Sequence, residues 1–328
     1  MSSNSIYISI PCLGFDSELF NTIKSAIDNS DDSTRVHIGI AMMGDKKYYN
    51  DIVEKLKGYS NVQIGHFPPD VLGESISLGR AREKAKSFYN NQDFYLQIDS
   101  HTFFEKGWDS ELIIRLNMSC ESADNKKTVI TGIPGSYGYF NKKNKKAEFW
   151  VDNRPRYPKI LKDTWNETEK VIPKFDHFYT EDMPQISSFM HLRNNIVPCL
   201  KISGGFIFGN KKFAEYDGNR EDNLFWEEEL VQTINLIGAG FSLVFVNKDA
   251  KVFHLYGDDI WMNLGERDNI FTNANSPSDL VNKMAMSFSK YIYSPENSEK
   301  IKKYIDYAGF DVLKNQSEEW PIIGNFSK

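Results

Sequence analysis

Cysteine is scarce in this 328-residue sequence: Cys12, Cys120 and Cys199 are an odd number without paired spacing. That argues against a disulfide framework and against a structural zinc site, and it fits a reducing compartment. Long apolar runs are missing as well, since no stretch approaches the roughly 18 residues a membrane helix needs. Met1-Ser2-Ser3-Asn4-Ser5 carries neither a basic n-region nor an apolar h-region. The expectation is a soluble, cytoplasmic protein with no membrane partner. Nor does one sign of charge dominate. A formal net charge of −6, drawn from 39 basic and 45 acidic residues, leaves no footprint for a phosphate backbone and disfavours nucleic acid as a partner. Internal repeats and low-complexity segments are absent too.

What is present is enough apolar residue for one large core, 40% of the chain, arranged in alternating strand and helix patterns. Residues 6–10 form a β-rich run stopped by Pro11 and Gly14, and Asp16 or Ser17 is placed to cap a helix carrying Leu19, Phe20, Ile23 and Ile27 on one side. A strand at 36–42, a helix at 46–56 and a strand at 62–67 follow. This alternation predicts parallel strands with helices on both faces. A helix from about Gly79 to Tyr89 then delivers the chain to a strand at 94–98, and another runs from after Asp109 to about Met118, followed by a strand at 128–133. Residues 134–200 read as irregular. They include the run Lys142-Lys143-Asn144-Lys145-Lys146, which reads as a solvated hairpin tip or as a recognition surface for an acidic acceptor.

Regular structure returns at Ile202-Ser203-Gly204-Gly205-Phe206, where paired glycines mark either a β-bulge or a close approach to the backbone. A helix opening at Phe225-Trp226-Glu227-Glu228-Glu229 and ending near Gly240, a strand at 241–246 and a short strand at 250–257 containing His254 complete this part. The three acids suit a helix N-terminus on dipole grounds alone, or one of them is functional. Beyond lie a loop, helices near 277–291 and 295–306, and a tail.

The chemistry concentrates at the end of the 94–98 strand. Alternation along a strand would turn Asp99 and His101 the same way, and carboxylate plus imidazole suits a divalent ion such as Mn²⁺. The plainer reading is an Asx-type turn beside a surface histidine. In an open α/β sheet ligands sit beyond the carboxyl strand ends, where Pro11, Cys12 and Asp99 would lie. Arg80 or Arg82 is either solvated or aimed at an anion there.

Taken in order, Gly79-Arg80-Ala81-Arg82, Asp99-Ser100-His101, Gly107-Trp108-Asp109, Gly204-Gly205-Phe206-Ile207, the segment 225–229, Gly240 and Val252-Phe253-His254 resemble a family pattern. It is that of GT-A fold glycosyltransferases, both the polypeptide N-acetylgalactosaminyltransferases and the cytoplasmic hydroxyproline N-acetylglucosaminyltransferases. The second family is the better match, on residues 96–101 and His254-Leu255-Tyr256. The resemblance covers roughly residues 5–257. It implies a Rossmann-like α/β catalytic domain at 1–257, with 134–200 an acceptor-side insertion and 258–328 a small helical C-terminal extension.

The resemblance also implies roles. Asp99, His101 and His254 would hold Mn²⁺ or Mg²⁺. Pro11, Cys12, Arg82, Asp99, Ser100, Gly204 and Gly205 would contact a UDP-sugar donor. Glu228 would stand where a carboxylate faces the sugar or acceptor. The implied reaction moves N-acetylglucosamine to a hydroxyl on a protein acceptor, with retention. Two departures stand out: Glu227 replaces a glycine before that glutamate, and residues 10–14 lack the family's Tyr-Arg-Asp string. Competing readings are a nucleotide-sugar hydrolase or nucleotidyltransferase on the same fold, a non-catalytic nucleotide-sugar-binding module, and a glycosyltransferase acting on modified DNA.

Overall fold

The computed structural model describes residues 4–68, 77–141, 146–152, 196–199, 201–216, 226–246, 250–256, 277–308, 310–311, 313 and 316–317. Four parallel strands come first: β1 (Ile6–Cys12), β2 (Val36–Met42), β3 (Val62–His66) and β4 (Phe94–Ile98). Helices α1 (Leu19–Asp28), α2 (Lys46–Lys55) and α3 (Leu78–Lys86) connect them. After β5 (Thr102–Phe104), α4 (Trp108–Ser122) and β6 (Thr128–Thr131) comes a hairpin of β7 (Gly135–Asn141) and β8 (Lys146–Asp152), then β9 (Ile196–Pro198). Strand β10 (Phe206–Asn210), the one-turn α5 (Lys211–Ala214), α6 (Trp226–Gly238), β11 (Ser242–Val246) and β12 (Val252–His254) lead to α7 (Pro277–Ile292) and α8 (Ser298–Ala308).

The main sheet runs β3-β2-β1-β4-β10-β6-β11-β9, and a smaller one runs β5-β12-β7-β8. The parallel order breaks at β10, which is antiparallel to both β4 and β6. Because Phe206 pairs with Ile98, β10 starts where β4 ends, and the residues before it sit at the carboxyl edge of the parallel strands.

Helices cover both faces, and alternation along the strands decides which side chain meets which layer. Ile6, Ile8 and Ile10 pack with Leu19 and Ile23 of α1 and Leu112 and Leu116 of α4. Tyr7 and Tyr95 point the other way, into a cluster with Val231 and Ile234 of α6, Met284 and Phe288 of α7, and Ile301 and Tyr304 of α8. The helices expected in 258–328 are thus present, and they share a core with α6. The loop 257–276 and the tail from 318 lie outside the described residues. Among the described residues no helix is long and apolar enough to cross a membrane.

Several boundaries differ from the sequence reading, each for a physical reason. Strand β1 continues through Pro11 to Cys12, pairing with Ala41 and Met42. Its pairing with β4 stops at Ser9, so Pro11 needs no N–H on that side. Helix α1 is capped by Glu18 without a side-chain bond, because the Asp16 side chain is engaged elsewhere. Helix α4 starts at Trp108, with Asp109 buried inside its first turn. The Asp109 carboxylate accepts from the Asp31 N–H at 2.9 Å and from Arg35 Nε at 2.9 Å, and Trp108 Nε1 donates to the Ala26 carbonyl at 2.9 Å. The Gly107-Trp108-Asp109 string is a fastener between α4 and the α1–β2 connection. Within 134–200, the described parts are regular: β7 and β8 form a hairpin whose register closes at Asn141 opposite Lys146. Lys142, Lys143, Asn144 and Lys145 lie outside the described residues.

Candidate metal and donor site

Strand β4 is buried along its length and stops at Ile98, so Asp99, Ser100 and His101 form a corner between β4 and β5. Their convergence therefore does not come from alternation along one strand, as the sequence suggested. It comes from β5 pairing with β12, which sets Thr102 opposite His254, and from contacts to α1. One ligand atom each from Asp99, His101 and His254 lies within 4.8 Å of the other two. His254 Nε2 stands 3.2 Å from Asp99 Oδ2, and the two imidazole rings meet edge to face at 4.6 Å. One carboxylate and two imidazoles at this spacing fit a borderline divalent ion.

Each group is held from behind. His101 Nδ1 lies 2.8 Å from Asp16 Oδ2, which also accepts the Ser100 hydroxyl at 2.6 Å. An ionised carboxylate only accepts, so the proton of His101 sits on Nδ1 and leaves Nε2 open. Burial would raise the Asp16 carboxyl, but its electrostatic interaction with the His101 ring and the hydrogen bonds from His101, Ser100 and the Glu18 amide outweigh it and lower the pKa. Asp99 follows the same pattern. Burial pushes it up, yet the hydrogen bond and field of His254, with His101 and Arg82, hold it well below the ordinary carboxylate range.

A second group of charges lies beneath the turn that precedes β10. Gly204 and Gly205 form a tight turn closed by the Phe206 N–H on the Ser203 carbonyl at 3.0 Å, rather than a bulge within the strand. Side chains explain the glycines. A Cβ on Gly204 would come within 2.7 Å of Arg82 Nη2, and one on Gly205 within 2.6 Å of Asp99 Oδ2. Arg82, only 2% exposed, donates from Nη1 to the Gly204 carbonyl at 2.7 Å. Its Nε lies 3.4 Å from Glu228 Oε1, and its Nη2 3.9 Å from Asp99 Oδ1. Gln97 Nε2 also donates to the Gly204 carbonyl, at 2.9 Å. The Gly204 N–H donates to Glu229 Oε1 at 2.7 Å, while Lys201 Nζ pairs with the other Glu229 oxygen at 2.8 Å. Gly205→Ala should therefore displace Asp99 and weaken any Mn²⁺ binding at the cluster by at least about tenfold, with far-UV circular dichroism unchanged; an Mn²⁺ titration followed by EPR checks it.

A family model described as Glycosyltransferase (GlcNAc) matches residues 60–275, about two thirds of the chain. The chain belongs to the glycosyltransferase (GlcNAc) family. No curated protein matches it in sequence. Solved structures that share its fold at low identity include GalNAc-T7 and TarS. GalNAc-T7 with UDP, GalNAc and Mn²⁺ aligns with a TM-score of 0.58 and 12% identity, over 97% of this chain and 58% of its own. The chain thus spans little more than half the length of that relative. TarS residues 1–349 from S. aureus, in complex with UDP-GlcNAc, aligns with a TM-score of 0.53 and 12% identity, over 92% of this chain and 71% of its own. The fold is GT-A, the glycosyltransferase arrangement expected from the sequence.

Within this glycosyltransferase, the residues singled out in the sequence fall into two groups. Arg82, Asp99, Ser100, His101, Gly204, Gly205, Glu228 and His254 all lie inside the matched segment, and the contacts above join them into one site. Pro11 and Cys12 precede it, at the end of β1 beside Ala41 and Met42. Arg82 is not presented openly to an anion; it is locked under the Gly204 carbonyl between two carboxylates. Glu228, 1% exposed, is likewise beneath the turn. Sequence reasoning did not single out Asp16, Gln97, Lys201 and Glu229 as site residues. Gln97 carried a signal, as the one polar residue in an otherwise apolar strand; Asp16 resembled an ordinary helix cap.

Proposed function

We propose that this chain transfers N-acetylglucosamine from UDP-N-acetylglucosamine to a hydroxyl group on a protein, using Mn²⁺ or Mg²⁺ held by Asp99, His101 and His254. The observation that carries the reading is the meeting of one carboxylate and two imidazoles within 4.8 Å at the carboxyl end of β4. It is supported by the family's own description, by the UDP-GlcNAc in TarS and by the UDP and Mn²⁺ in GalNAc-T7. The resemblance of residues 96–101 and 254–256 to hydroxyproline N-acetylglucosaminyltransferases favours N-acetylglucosamine as the sugar. Three free cysteines, two of them buried, suit a reducing, cytoplasmic setting. In this reading residues 1–257 are the catalytic unit, 134–200 shape the acceptor side, and 258–328 are a C-terminal extension whose helices α7 and α8 back α6.

An ion held by Asp99, His101 and His254 would supply Lewis-acid neutralisation of the charge that develops on the leaving diphosphate. The chain's own part is positioning. Asp99 and the two imidazoles fix where the diphosphate lies, and the Gly204-Gly205 turn, tied at both its amide and its carbonyl, offers a rigid floor for the sugar. Arg82 holds Asp99 and Glu228 in register beneath that floor. Glu228 is buried on this guanidinium, so it acts as a positioning group and not as a covalent nucleophile. Retention then follows from attack by the acceptor hydroxyl on the face the diphosphate leaves, with a phosphate oxygen taking the hydroxyl proton.

The test measures UDP release from UDP-GlcNAc, UDP-GalNAc and UDP-glucose, with Mn²⁺ or chelator, alone and with peptides bearing serine, threonine or hydroxyproline. The reading expects metal-dependent turnover that favours UDP-GlcNAc and rises with a hydroxyl peptide, with sugar mass added to that peptide. Turnover that ignores every acceptor would indicate a hydrolase. Nucleotide binding without turnover would indicate a binding module, and either result overturns the transferase reading.

A further inference from the structure

The segment Asp16-Ser17-Glu18, outside the part of the chain that matches the family model, carries two carboxylates that are both only 4% exposed. Neither belongs to the ligand set. They are two residues apart and fused locally, since the Glu18 N–H donates to Asp16 Oδ1 at 2.9 Å. From this common base they reach in different directions. Asp16 Oδ2 takes His101 Nδ1 and the Ser100 hydroxyl. Glu18 Oε2 accepts from the hydroxyls of Tyr139 at 2.6 Å and Tyr137 at 3.3 Å.

One reach ends on the corner that carries His101, the other on the strand next to the one that carries His254. His101 belongs to the corner after β4. Tyr137 and Tyr139 belong to β7, the strand that pairs with β12 and sets Ser136 beside His254. That pairing is short: β12 has three residues, and only Phe253 and His254 pair with β7. An ion needs its donors at fixed distances of roughly 2.0–2.2 Å; the backbones of the two imidazoles are joined by the short β5–β12 ladder and by the Leu255 N–H on the His101 carbonyl at 3.0 Å, and of these contacts none fixes the rotation of either ring. We infer that Asp16 and Glu18 are positioning residues, a two-armed brace that fixes the tautomer and orientation of His101 and steadies the β7 neighbour of the strand that carries His254. The inference rests on the metal reading proposed above for its functional consequence, but the tautomer part stands without any metal. Burying two carboxylates is costly for stability and weak evidence of a purely structural role, which is consistent with their being kept for geometry.

Histidine side-chain ¹⁵N NMR on the metal-free protein, with His101 assigned through H101A, reads the first arm. The brace predicts that His101 carries its proton on Nδ1, and that D16N shifts it toward Nε2 or a mixture. An Mn²⁺ titration by EPR reads the consequence. D16N should weaken binding about 10–100-fold, but by less than about twofold when added to H101A, because its effect runs through that ring. The conservative double variant Y137F/Y139F, which removes only two hydroxyls, should weaken binding by about three- to tenfold in the wild-type background and by less than about twofold in H254A. His101 protonated on Nε2 in the native protein, or D16N binding Mn²⁺ as tightly as wild type, would overturn the brace. So would equal losses in the presence and absence of the paired histidine, since that marks general loosening. Native protein that binds no Mn²⁺ while His101 keeps its Nδ1 proton would overturn the metal reading and with it the proposed consequence of the brace, leaving the tautomer assignment standing.

Discussion

Asp99→Ala is expected to abolish Mn²⁺ binding and to lower sugar transfer by about a thousandfold, equivalent to about 4 kcal/mol of transition-state stabilisation. Asp99 is the only carboxylate of the three-group cluster, so the variant removes both a donor and the negative charge that draws a cation between two neutral rings. The fold should survive. Asp99 lies in the corner after β4, outside the ladders, and Arg82 keeps its contacts to the Gly204 carbonyl and Glu228. The variant should also respond differently to acid in metal-free buffer. The Asp99 pKa is depressed in the folded protein, so the carboxylate contributes stability above its unfolded value of about 3.9, and that contribution is lost as pH falls through the folded value. Thermal melts between pH 7 and pH 3 should fall less steeply for Asp99→Ala than for wild type. Unchanged Mn²⁺ affinity in the variant would remove Asp99 from the ligand set.

Arg82→Met should produce the largest loss of stability, about 3–5 kcal/mol in urea denaturation. The guanidinium is almost wholly buried between Glu228, itself 1% exposed, and Asp99. Methionine fills much of the volume but strands the Glu228 carboxylate without that counter-charge and leaves the Gly204 carbonyl one donor short. Adding Glu228→Gln removes the stranded charge, so R82M/E228Q should recover roughly half of the loss. If Arg82 were an exposed phosphate-binding residue, the single variant would melt like wild type and lose only donor affinity. Both quantities are separable, because urea denaturation needs no ligand.

The pattern of strands and helices was legible because buried strands such as residues 94–98 are nearly unbroken apolar runs and the intervening helices are amphipathic. The lysine run suggested a hairpin tip, but the strands β7 and β8 that flank it were not legible, since glycines at 135 and 138 and the nearby lysines blur the alternation a strand normally shows. Asp99 and His101 stood out from their position after a buried strand, but the reason for their convergence was misread: the chain turns at Ser100, and β5 delivers His101. His254 could be linked to them only through family resemblance, because a three-residue strand has no periodicity of its own. Among Glu227, Glu228 and Glu229, sequence alone cannot choose, since every acid in a first helical turn suits the dipole. Packing gives the answer for two of them: Glu228 faces Arg82 and Glu229 holds the Gly204 amide. Asp16 looked like a helix cap because its true partner, His101, comes from a distant part of the chain.

The central claim is that the Asp99–His101–His254 cluster is a metal site that binds the diphosphate of a sugar nucleotide. Calorimetric titration of UDP into the purified protein, with Mn²⁺ and then with chelator, in wild type and Asp99→Ala, tests it most directly. The account predicts binding that requires both the metal and Asp99. UDP binding that is indifferent to either, or no UDP binding under any of these conditions, would contradict it.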